Sequence, residues 1–156
     1  ADYKPFRPSG GTPLFDAVYS AIAATKEYGE QLSNNDYSCN AIVFIITDGD
    51  DTSSSMTPDM IRQETEGIKA SEKLESCVTV LIGVNVQGRS GQNPSKTMGQ
   101  VLEEFKNEAS ITSYIDAGSA TAGKFAKLAQ FVSQSVSSQS QSLGSGGPSQ
   151  NIAPTI

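Results

Sequence analysis

Three features of the sequence predict an α/β fold, an open parallel sheet with helices on both faces. Ala41 to Thr47 and Cys77 to Val84 are apolar at nearly every position. A strand covered on one face would alternate, so unbroken runs of this kind mark strands buried on both faces. Each run is followed by a segment whose apolar residues recur at helical spacing, and strand–helix alternation with a period of about thirty residues implies right-handed parallel crossovers. The first run also stops abruptly in acid, Asp48-Gly49-Asp50-Asp51. Ligands of open parallel sheets bind beyond the carboxyl ends of the strands, which makes this acidic end the place to look for a site.

In chain order, Ser9-Gly10-Gly11-Thr12-Pro13 is a glycine turn leading into a helix over 13–33, with Thr12 as N-cap and Pro13 in the first turn. Leu14, Val18, Ala21, Ile22, Tyr28 and Leu32 form its apolar stripe. The polar turn Ser33-Asn34-Asn35-Asp36 precedes the first strand, 41–47. A polar loop then leads to a helix over 58–74, capped by Thr57, with Ile61 and Ile68 facing inward. The second strand, 77–84, is followed by a loop over 85–96 whose Arg89 and Lys96 are candidates for a rim that selects a partner. Met98, Val101, Leu102 and Phe105 set a helix over 97–109, and a short strand, 112–115, ends at Asp116, which reads as a turn residue. The last helix begins near Ser119 with Phe125, Leu128, Ala129, Val132 and Val136 at spacings of three and four. Beyond Ser137 the chain is mostly Ser, Gln, Gly and Pro, so the domain is expected over 1–143 and a disordered tail over 144–156.

Composition narrows the function classes. At 156 residues the chain is one domain with room for a core. A net charge of -6 argues against nucleic acid or an anionic membrane as partner. No segment approaches the ~20 apolar residues of a membrane span. Histidine is absent, which removes His-dependent triads and most catalytic zinc sites and leaves oxygen ligands for any metal. If their strands are neighbours, Cys39 and Cys77 fall at one end of the sheet, opposite the acid, where a disulfide could join them; two buried free thiols are the favoured reading, and on that basis a reducing, cytoplasmic compartment is the expectation.

Asp48 at a strand end and Thr12 at a neighbouring turn are both hard oxygen donors, the kind Mg²⁺ takes along with water or a ligand carboxylate. Ser9-Gly10-Gly11-Thr12-Pro13-Leu14 before a helix, followed by an apolar strand ending in Ile46-Thr47-Asp48-Gly49, resembles the von Willebrand factor type A (VWA) domain. These segments match the second and third parts of that family's metal-ion-dependent adhesion site (MIDAS). Phe131 to Ser142 is similar to the close of bacterial VWA proteins related to tellurite-resistance and phage-associated sets. The resemblance implies a Rossmann-like VWA fold. It also implies a non-enzymatic protein-binding module in which Thr12 and Asp48 hold Mg²⁺ (or Mn²⁺ or Ca²⁺) and the cation meets an acidic residue of a protein ligand.

The family's first motif, Asp-x-Ser-x-Ser after its first strand, has no counterpart upstream of Gly10. Asp51-Thr52-Ser53-Ser54-Ser55 satisfies the pattern but follows the third motif instead. Gly11, Asp50, Asp51, Ser53 and Ser55 are therefore secondary or substitute candidates, with Asp50 and Asp51 read as solvated. The expectation is a domain whose N-terminal part is absent or supplied in trans. In the family's usual sheet order the strand 41–47 would then become an edge, although it is apolar on both faces and carries no Lys or Pro to protect it. A separate chain bringing the missing strands, or self-association, would cover it. Two other functions stand beside the leading one. One is a structural assembly protein with a vestigial metal site. The other is a small Mg²⁺-dependent phosphohydrolase using Asp48, with Asp116 the only other carboxylate ending a strand.

Overall fold

The computed structural model describes residues 10–71, 73–119 and 121–145. Seven elements follow one another: α1 (Leu14–Ser33), β1 (Asn40–Thr47), α2 (Pro58–Ser71), β2 (Ser76–Gly83), α3 (Met98–Glu108), β3 (Ser113–Asp116) and α4 (Ala122–Ser145). The strands form one parallel sheet in the order β1-β2-β3. In its register Thr47 lies beside Gly83, and Gly83 beside Asp116. The three carboxyl ends are therefore level, and the loops that follow them share one rim.

Helices cover both faces, as the continuous apolar strands require. Val43, Ile45 and Leu81 pack with Leu14, Val18 and Ile22 of α1, Ile61 and Ile68 of α2, and Leu102 and Phe105 of α3. The opposite side chains, Val80, Ile82, Val84 and Ile115, pack with Leu128 and Phe131 of α4. Phe44 meets Phe131 edge to face at 6.1 Å between ring centres. Three helices thus share one face of the sheet and α4 alone takes the other.

Local chemistry explains most boundaries. Thr97 caps α3 through a reciprocal box: its side chain accepts from the Gln100 amide while Gln100 accepts from the Thr97 amide. Thr57 accepts from the Met60 amide at the start of α2, in the expected capping role. The N-cap of α1 is different. Pro13 holds that position and makes no side-chain cap, so Thr12 does not have the capping role that the sequence pattern predicts.

The phase of α4 also departs from expectation. Leu128, Phe131 and Ser135 point inward, while Phe125 and Val136 are each 50% exposed and Ala129 is exposed. The buried Ser135 hydroxyl donates to the Phe131 carbonyl at 2.8 Å, which lets a polar residue sit on the inner face. The helix continues to Ser145, through the polar stretch after Ser137 and two residues into the expected tail. Of the expected tail, 146–156 lies outside the described residues. Among the described residues no helix is long and apolar enough to cross a membrane.

Cys39 and Cys77 are free. Burial pushes both thiols up from the ordinary range; Glu75 adds to the effect at Cys39, and Lys69 partly offsets it at Cys77.

Candidate functional site

The rim at the carboxyl end of β1 is built by three segments: the turn before α1, the loop from Asp48 to Thr57, and the loop from Asn85 to Lys96. The first two are laced together by hydrogen bonds across 36 to 40 residues of sequence. The Thr12 amide donates to Thr52 Oγ1 at 2.6 Å, and the Thr52 amide returns a bond to the Thr12 carbonyl at 2.9 Å. Asp16 Oδ1 accepts from the amides of Ser55 (2.8 Å) and Met56 (2.7 Å). The Asp16 amide donates to Ser54 Oγ at 3.0 Å.

Asp51 completes the lacing. Its Oδ1 accepts from the Phe15 amide at 3.1 Å and from the Ser54 hydroxyl, and its Oδ2 accepts from the Ser54 amide at 3.3 Å. The Phe15 amide is one of the first donors of α1, which have no partner within the helix. Asp51 therefore caps α1 from a distant loop and sets a negative charge at the positive end of the helix dipole. That role replaces the solvated one expected from sequence, and it occupies both carboxylate oxygens. Gly11 is required by the same close approach: a Cβ there would lie 2.7 Å from Ser53 Oγ and 2.9 Å from Thr52 Oγ1.

Asp50 ties down the third segment. It is only 7% exposed, again not the solvated residue expected. Its Oδ2 accepts from the Ser90 hydroxyl (2.5 Å), the Gly91 amide (2.9 Å) and, at a longer 3.5 Å, the Gln92 amide. Its Oδ1 is buried with no partner. A buried carboxylate oxygen without a donor is costly, and a water or a cation is the usual remedy. Ser90 was missed by sequence reasoning. It is itself 2% exposed and stands forty positions from Asp50, and nothing in its local sequence signals the pairing. The expected rim cations are also engaged: Arg89 donates to the Ser95 carbonyl at 3.1 Å, and Lys96 pairs with Glu104 of α3 at 2.6 Å. Asp116 is a turn residue as expected, accepting from the Gly118 amide at 2.8 Å and from Gln87 Nε2.

Asp48 stands apart from its neighbours. It is exposed, one residue beyond β1, and its carboxylate accepts no hydrogen bond from any described residue. The hydroxyls of Thr12 and Ser53 are likewise exposed and unbonded among the described residues. An open cleft of ≈ 380 Å³ lies over the laced loops, lined by Phe15, Asp50, Asp51, Thr52, Ser53, Ser54, Gln92 and Val101; Thr12 and Asp48 are not among its lining residues.

The donor chemistry fits a hard divalent cation. The unbonded hydroxyls of Thr12 and Ser53, the Asp48 carboxylate and the buried Asp50 Oδ1 are all hard oxygens, and Asp50 stands two residues from Asp48. Thr12 and Asp48 are the side chains that the sequence pattern names for such an ion, and neither lines the cleft that Asp50 and Ser53 share. Among the described residues no three acidic, cysteine or histidine side chains converge as a metal-holding group. A cation here would keep much of its water shell. No family model, no curated protein and no solved structure matches this chain.

Proposed function

We propose that this chain is a non-enzymatic protein-binding module in which Mg²⁺, or Mn²⁺ or Ca²⁺, held by Thr12 and Asp48 meets a carboxylate on a partner protein. The observation that carries this reading is the contrast among the acids of one loop. Asp50 and Asp51 are hydrogen-bonded into the scaffold, whereas Asp48 is left exposed with both oxygens free of described partners. The likeness of Gly10-Gly11-Thr12-Pro13 and Thr47-Asp48-Gly49 to two segments of the VWA metal site supports it. A bound cation would supply open coordination positions for a partner's carboxylate. The protein's own contribution is a stiff frame, since the Thr12–Thr52 pair and the Asp51 cap fix the two donor-bearing loops relative to each other.

The test is calorimetric titration of the full chain with Mn²⁺ and with Mg²⁺, using Asp48→Ala as the control. Binding that disappears in the variant, while its thermal midpoint in EDTA is unchanged, supports the proposal. Binding that survives the substitution refutes the assignment of Asp48. The small number of converging acids favours a second reading, assembly through the VWA-like scaffold with a vestigial site. A folded protein that binds neither cation favours that reading.

A further inference from the structure

Asp48-Gly49 is the single place in the sequence where an aspartate or asparagine precedes a glycine. The order matters because a backbone amide can close on the side-chain carbonyl of the residue before it, making a five-membered ring. A Cβ on the attacking residue crowds that approach, and glycine has none. The reaction also needs a carboxyl group free to turn and an amide that is not tied into a helix or a ladder.

The fold withholds these conditions from the other acids near the rim. Asp16 Oδ1 accepts from two amides of the neighbouring loop, and the amide that follows Asp16, that of Ala17, is bonded to the Pro13 carbonyl at 3.1 Å. Asp50 Oδ2 is held by the Ser90 hydroxyl and the Gly91 amide. Both oxygens of Asp51 are bonded. Asp116 accepts from Gln87 and Gly118, and the Ala117 amide donates to the Gly83 carbonyl at 2.9 Å. Asp48 differs from all four. Its side chain is exposed and accepts from no described residue. The next amide, that of Gly49, makes one long bond, 3.3 Å to Thr47 Oγ1. A Cβ at residue 49 would meet nothing within 4 Å. Residues 48 and 49 form a bend between two fixed points, the end of β1 at Thr47 and the buried Asp50.

We propose that Asp48 is a site of spontaneous covalent modification, isomerising through a cyclic imide with Gly49. The Gly49 nitrogen attacks Asp48 Cγ. A C–N bond forms, the Cγ–O bond breaks, and the carboxyl hydroxyl leaves with the amide hydrogen as water. Water then opens the ring. Addition at Cγ restores aspartate. Addition at the main-chain carbonyl carbon routes the backbone through the side chain and leaves isoaspartate, whose backbone is longer by one methylene. No electrons are transferred, and water is the only co-reactant. The new carboxylate sits one methylene closer to the chain, while Asp50 and Asp51 keep the loop anchored just beyond it. One consequence rests on the proposed role of Asp48 as a cation ligand: the change displaces that donor, so cation binding decays with the age of the protein.

Peptide mapping by mass spectrometry, with isoaspartate scored by enzymatic methyl transfer, tests the proposal on the full chain held folded in EDTA. Isoaspartate at position 48 should accumulate steadily, and faster at about pH 5 than at about pH 8, because the departing carboxyl oxygen must carry a proton. Gly49→Ala fills open space and should leave circular dichroism and the thermal midpoint unchanged. It should slow the reaction at least about fivefold by shielding the amide. Asp48→Asn should react faster than the parent at neutral pH, because an amide carbonyl is a better electrophile than a carboxylate, and should yield aspartate and isoaspartate together. A folded chain that stays unmodified for weeks overturns the proposal, the urea-unfolded chain serving as positive control. A rate that Gly49→Ala leaves unchanged overturns it as well. Mn²⁺ titration of fresh and aged samples reads the consequence separately. Binding that falls in step with the unmodified fraction supports the link, whereas a fresh chain that binds no Mn²⁺ refutes the cation role and leaves the modification standing.

Discussion

Replacing Asp51 with alanine should destabilise the fold, while replacing Asp48, three positions earlier, should not. Asp51→Ala removes the acceptor for the Phe15 amide and for both the amide and the hydroxyl of Ser54. Loss of an N-cap costs about 1 kcal/mol, and loss of a favourable charge at the helix N-terminus adds about 0.5 kcal/mol. Freeing the Ser54 end of the loop brings the total to about 2 kcal/mol, since hydrogen bonds to a charged acceptor are stronger than neutral ones. For a domain of this size that corresponds to about 4–8 °C in the thermal midpoint. Asp48→Ala removes an exposed side chain without described partners and should change stability by less than about 0.5 kcal/mol. Urea unfolding of both variants, followed by circular dichroism in EDTA so that no cation contributes to stability, measures the difference directly. Equal losses in the two variants, or a larger loss in Asp48→Ala, would refute the division between a scaffold acid and a free one.

Two further outcomes test the core and the pH response. Leu128→Ala should cost about 2–4 kcal/mol, whereas Phe125→Ala, on the half-exposed flank of the same helix, should cost less than about 1 kcal/mol; thermal unfolding of the monomer separates them. Tyr114 has a buried hydroxyl without a partner, against Gly83 and Gly99, where an added Cβ would lie 2.9 Å and 3.3 Å from the phenolic oxygen. Burial first, then Asp116 and Glu103, push its pKa up to about 12. An unfolded tyrosine titrates near 10. Between about pH 10 and pH 12 the unfolded chain has therefore released the proton that the folded chain still holds, and rising pH favours unfolding. Tyr114→Phe should flatten this alkaline loss and should cost little at neutral pH, because it also removes an unsatisfied polar atom. A pH profile of the variant unchanged from the parent protein would refute the assignment.

Elements were legible where their signal is local. The runs ending at Thr47 and Gly83 could be read as parallel strands because continuous apolarity over seven or eight residues has few other uses. The helices followed from spacing, and the level carboxyl ends followed from alternation. Orientation within an element was harder. The α4 sequence has apolar residues on more than one flank, and Ser135 hides its polarity by bonding its own helix, so periodicity alone could not choose between the two lines. Of the candidate site, positions along the chain were legible and long-range partners were not. Asp48 stood out through its position at a strand end. The roles of Asp50 and Asp51 depend on Ser90 and Phe15, forty and thirty-six residues away, and no local pattern encodes a contact at that range. Thr12 could be recognised as the residue of a turn, but its link to Thr52 comes from tertiary packing and displaces the capping role its neighbours suggest.

The lacing between the start of α1 and the loop after β1 also orders events in time. Its bonds close chain segments of 36 to 40 residues, so the ordering entropy is spent before the bonds can form. The amides of Thr12, Phe15, Asp16, Ser54, Ser55 and Met56 all donate to side chains across or within this junction. Ser54 bonds Asp51 within its own loop, but the other five cannot be protected until α1 has docked on β1 and the chain has turned toward α2. Hydrogen exchange at these five amides should therefore rise and fall as one cooperative unit, and its opening energy measures how often the rim around Asp48 is assembled.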